Sequence, residues 1–180
     1  MEFAAGTTRS PPPRTGESWR RWRLDRRIGR RMGAWGPGTF ENDDAMDWLA
    51  EFVASDDGAG VLYWAFEAVT DAPGYLEAPE ASAALAAAEI VAALHGHPSA
   101  ELPEDAVAWV RDHAGAVSRE APRVARSAVE FVRRFSELRE LWDEADPAPW
   151  YARVNDLHAR LAAAERAHPS DHPGDTSKAG

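Results

Sequence analysis

Residues 124–142, VARSAVEFVRRFSELRELW, decide the fold. Val124, Ala128, Phe131, Val132, Phe135, Leu138 and Trp142 recur at three- and four-residue spacing, and charged residues fill most of the intervening positions. Apolar residues on one stripe over about five turns predict a single amphipathic helix with one face toward a core.

The segments on either side carry the same period. After Asp146-Pro147, Trp150, Val154, Leu157, Leu161 and Ala164 form one stripe of a sixth helix. Upstream, Pro103 opens a fourth helix, with Glu104 and Asp105 suited to its first turn and Val107, Val110, Ala114 and Val117 following; Gly115 frays its end. A third helix over 79–95 has Ala83, Ala87, Ile90, Val91 and Leu94 as its main stripe and Gly96 as the residue after its end. Its many other alanines mark a central helix that lets neighbouring backbones come close. The second helix spans 61–69, with Leu62, Ala65, Phe66 and Val69 inward. The first follows Asn42, Asp43 and Asp44, which offer a side-chain cap and negative charge to unpaired N–H groups, and carries Ala45, Met46, Leu49, Phe52 and Val53. Before it, the glycine/tryptophan run at 33–38 reads as a loop.

No strand-like alternation competes. The expected architecture is all-α: one compact domain at 32–166, about six helices in two packed layers, with a polar, loose tail at 167–180.

Composition narrows the function classes. The 180 residues include no cysteine, which removes disulfides and thiolate chemistry and makes a reducing cytoplasm the expected compartment. The longest apolar stretch, 81–94, is interrupted by Glu89 and too short to cross a bilayer, so no membrane role is expected. Residues 1–31 hold nine arginines against three acids, whereas 27 acids face 11 basic residues from Met32 onward. So acidic a body repels nucleic acid and favours a basic protein partner. The arm lacks an apolar helical face, and no apolar segment follows Arg20-Arg21 to make an export signal. It is expected to be a disordered extension or the product of a start assigned too early. The rival reading gives its arginines, with Trp19 and Trp22, a nucleic acid, an anionic membrane or the acidic body to bind.

The run Met32-Gly33-Ala34-Trp35-Gly36-Pro37-Gly38-Thr39-Phe40-Glu41-Asn42-Asp43-Asp44-Ala45-Met46-Asp47-Trp48 resembles the opening of an uncharacterised bacterial family, domain of unknown function 4259. Similarity continues through 75–94 and from 136 to about Leu161, while the arm before Met32 departs from the family pattern. The resemblance implies no activity, cofactor or catalytic residue.

Six residues stand out as candidates for binding: Trp35, Asn42, Asp43, Asp44, Asp47 and Glu89. Trp35, among glycines, reads as an indole plugging the core, or else as a recognition lip beside the first helix. Glu41, Asp43, Asp44 and Asp47 could ligate a hard cation, but acids in a first turn are expected anyway and the calcium-loop pattern is missing; no metal or cofactor is expected. Glu89 interrupts an apolar helix and must face solvent or find a partner. His95 and His97 flank a helix-ending glycine without a companion ligand set.

Two functions compete on this evidence. One is a small acidic protein-binding or regulatory module; the other is an enzyme whose carboxylates from the first and third helices meet across a cleft. Trp64, Trp109 or Trp150, if exposed, would instead mark a self-association face.

Overall fold

The computed structural model describes residues 36–167, and these form seven α-helices. In chain order they are α1 (Asp43–Val53), α2 (Gly58–Thr70), α3 (Ala78–Leu94), α4 (Glu104–Asp112), α5 (Ala121–Phe135), α6 (Glu137–Glu144) and α7 (Pro147–Ala167). The arm at 1–31, Trp35 and the tail from 168 lie outside the described residues.

α3 is the axis. It packs against all six other helices, which surround it in the order α4, α1, α2, α5, α7, with α6 bridging α5 and α7. Burial runs around its whole circumference, from Ala78 to Ala93 with Pro79, Glu80 and Ala83 as exceptions. A helix enclosed on every side cannot carry bulky residues everywhere, because interiors are close-packed. Alanine at 81, 84, 86, 87, 88, 92 and 93 leaves room for six neighbours, and Leu85, Ile90 and Val91 fill the gaps between them. The expected layers are thus organised around one enclosed helix. Its end follows glycine logic: Gly96 has φ +83, and the His97 and Gly96 N–H groups donate to Ala92 O and Ala93 O at 2.9 and 3.0 Å.

α2 and α7 bury the stripes that their spacing predicts. Val61, Leu62, Ala65, Phe66 and Val69 of α2 are inside, as are Trp150, Val154, Leu157, Leu161 and Ala164 of α7. Gly58 opens α2 against the Trp109 indole, which occupies the space that a Cβ at 58 would need. Trp109 stands in a ring column, with Phe52 at 4.4 Å between centroids and His113 stacked at 4.2 Å.

Two elements depart from expectation. α4 stops at Asp112, short of the Ala114 and Val117 expected on its stripe, and it turns Ala106 and Trp109 inward because these pack on the core, which leaves Val107 50% exposed. The continuous helix predicted over 124–142 breaks at Ser136, giving α5 and α6. Ser136 is extended (φ −128°, ψ 151°) and forms an isolated parallel bridge with Leu76. The Leu76 N–H donates to Phe135 O at 3.0 Å, and the Glu137 N–H donates to Leu76 O at 2.9 Å. The Ser136 hydroxyl donates to Val132 O at 2.7 Å, closing α5, and accepts from the Arg139 N–H at 3.1 Å, opening α6. Glu137 then reaches across so that its carboxylate accepts the Ala78 N–H at 3.0 Å, an external cap for α3. Long-range pairing outweighs the local helical period here.

Candidate functional site

The opening motif is organised by Glu41. Its carboxylate accepts the Gly38 N–H at 2.7 Å, while the Glu41 N–H donates to Gly38 O at 3.0 Å and the Gly36 N–H donates to Glu41 O at 3.3 Å. Side chains at 36 or 38 would run into that carboxylate, which is why this tight loop uses glycine. Glu41 is thereby committed to the loop and turned from a shared cation site.

Asn42 is 7% exposed and caps α1. Its Oδ1 accepts the Ala45 N–H at 2.8 Å and its Nδ2 donates to Thr39 O at 3.1 Å, so both ends of the amide bind backbone. Asp43 is exposed, Asp44 and Asp47 are half-buried, and all three take part in interactions of their own. Their place at the positive end of α1 matches the dipole argument. Among the described residues, no three histidine or acidic side chains converge as metal ligands do.

Glu89 is 4% exposed and does have a partner. Its two oxygens accept from Nη1 and Nη2 of Arg160 on α7, both at 2.8 Å. Arg160 also donates from Nη1 to His97 O at 3.1 Å and from Nε to Asp156 at 2.7 Å. Burial works against the Arg160 charge, but the hydrogen bonds and charge of Glu89, joined by Asp156, hold its pKa above the ordinary value. The cluster ties α3, α7 and the turn after α3 together. It faces α7, which α1 does not touch, so the structure does not bring Glu89 together with Asp43, Asp44 and Asp47. Two of the tryptophans considered for self-association are core residues: Trp109 is 8% exposed and Trp150 3%, while Trp64 is half-buried. Their indoles face inward because α4 and α7 bury them.

A charge division escaped the sequence reading, although it was legible there. Between residues 36 and 110 stand fifteen acidic residues and no lysine or arginine. All ten arginines of the described residues lie from Arg111 to Arg166, and eight of them pair with carboxylates. The fold keeps the halves apart around α1, which packs only on α2, α3 and α4. One side of the protein is therefore built from α1, the α1–α2 connection and the start of α4, with Asp56, Glu104 and Asp105 exposed.

No helix among the described residues is long and apolar enough to cross a membrane. No curated protein and no solved structure matches the chain. Residues 33–153 match the family described as Domain of unknown function (DUF4259), and that span includes the glycine loop, the capped α1, the enclosed α3 and the break at Ser136. The chain belongs to the DUF4259 family.

Proposed function

We propose that this domain is a protein-binding module of the bacterial cytoplasm that takes a basic segment of a partner protein on its α1/α4 side. The observation that carries the proposal is the charge division: fifteen acids without one arginine or lysine between residues 36 and 110. Such a surface raises the encounter rate with a cationic partner and disfavours anionic ones, and it requires no catalytic group. The absence of cysteine fits a reducing compartment.

The test is capture from host lysate at low and high salt, with wild type beside a variant carrying Asp56→Asn, Glu104→Gln and Asp105→Asn. A discrete basic protein should be retained by wild type at low salt and released by either salt or the neutralising changes. Failure to retain any protein at either salt, or equal retention by the variant, rules the reading out.

A further inference from the structure

Where the end of α3 meets the connection between α4 and α5, a half-open cavity of about 320 Å³ is lined by Leu94, His95, Gly115, Val117 and Arg119. Its size is at the lower end of small-ligand sites. Arg119 is the unusual member. Acids outnumber arginines 25 to 10 over residues 36–167, and eight of the ten arginines hold a carboxylate. Arg166 and Arg119 are both exposed, but Arg166 lies in the last turn of α7 and is not part of this lining, whereas Arg119 is. Arg119 makes no hydrogen bond or ion pair among the described residues, although it stands beside a cavity and in a protein rich in possible partners.

The surroundings favour an anion despite the net charge of the chain. Residues 111–126 contain four arginines against Asp112 and Glu120, a local excess of cations. The amide end of α5 begins two residues beyond Arg119 and lacks a side-chain cap. Leu94 and His95, at the carbonyl end of α3, are also part of the lining, and a helix's carbonyl end disfavours an anion, so an anionic head belongs on the Arg119 guanidinium. Leu94 and Val117 supply apolar surface. Gly115 has φ +85, and nothing lies within 4 Å of where its Cβ would be, so the wall there is open.

We infer that this cavity binds a small carboxylate, with the head group on the Arg119 guanidinium and a short alkyl portion against Leu94 and Val117. A guanidinium presents paired donors that match a carboxylate. The carboxylate could come from a free short-chain acid or from the C-terminus of a peptide. This site is separate from the acidic α1/α4 side, and its test does not depend on that reading.

The experiment titrates the full chain with sodium butyrate, with acetyl-dialanine bearing a free C-terminus, with neutral butyramide and with sodium chloride, and follows backbone amide NMR signals. Saturable shifts at Gly115, Val117 and Arg119 are expected with butyrate, with the peptide, or with both, and the responding probe identifies the source. Butyramide and chloride should leave these signals in place. Arg119→Gln should weaken binding about tenfold or more, the loss of one charge-assisted contact, while Arg166→Gln should leave it unchanged. Signals remote from the cavity should coincide between wild type and Arg119→Gln, which shows that the variant is folded. Carboxylate shifts no larger than those from chloride, or full binding by Arg119→Gln, would overturn the inference.

Discussion

Glu89 of α3 and Arg160 of α7 meet through two parallel hydrogen bonds of 2.8 Å each, with side-chain exposures of 6% and 16%. The acid that interrupts an otherwise apolar helix is there because a second helix brings its counter-charge inside. Breaking a buried pair costs more than the pair itself contributes, since the remaining charge is left without compensation.

Glu89→Ala is therefore expected to lower the unfolding free energy by about 3 kcal/mol, the lower end of the usual range because Arg160 keeps some contact with water. Replacing both residues, Glu89→Leu with Arg160→Leu, should recover most of that loss. Urea midpoints measure both effects. A Glu89→Ala midpoint equal to wild type would contradict the role given to the pair.

Gly58→Ala should destabilise the protein by about 1–3 kcal/mol, because the added methyl runs into the Trp109 indole and must displace it from Phe52 and His113. Gly74→Ala supplies a contrast: its cost comes from φ +93 alone, since open space surrounds the site. Thermal melts, with tryptophan fluorescence reporting on Trp109, distinguish the two. An unchanged fluorescence spectrum in Gly58→Ala would show that the contact is not tight.

Ser136→Ala removes the hydroxyl that accepts the Arg139 N–H and donates to Val132 O. The expected loss is about 1–2 kcal/mol, the upper part of the range for a helix cap. Hydrogen exchange should quicken at the amides of Arg139, Glu137 and Leu76 in particular, because these bonds hold the break and the bridge together. Uniform quickening across α7 instead would argue for global destabilisation without a local role.

His158 titrates below its ordinary value of 6.5, first because burial disfavours its charge and then because Arg126 repels it. The unfolded chain accepts that proton more readily. The stability contributed by a neutral His158 is thus complete above about pH 6.5 and is lost as pH falls through the lower folded value. His158→Gln should show a shallower fall in melting temperature between about pH 7 and pH 5 than wild type. Parallel melting curves over that window would remove His158 from the acid response.

The amino-acid sequence by itself determined that the chain is helical, where most helices start and stop, and which faces of α2 and α7 turn inward, while the inward face of α4, Ala106 and Trp109, was decided by packing. Trp150, Val154, Leu157, Leu161 and Ala164 are buried as one stripe, Asn42 caps α1, and Gly96 ends α3. These features are local, since spacing within one helix and caps within one turn depend on residues a few positions apart. Even the enclosure of α3 could be read from its alanines, because small side chains at most positions are useful only to a helix with neighbours on every side. Membership of the family is also legible in the opening motif. The tertiary structure alone decided the break at Ser136, the capping of α3 by Glu137, the pairing of Glu89 with Arg160, and the seating of Trp109 on Gly58. Each joins residues far apart in the chain, and nothing in a local period shows which distant group will arrive. At Ser136 the two levels conflict: the helical stripe continues through the break, and pairing with Leu76 prevails because it satisfies backbone groups that a straight helix would leave α3 and the preceding loop to satisfy elsewhere.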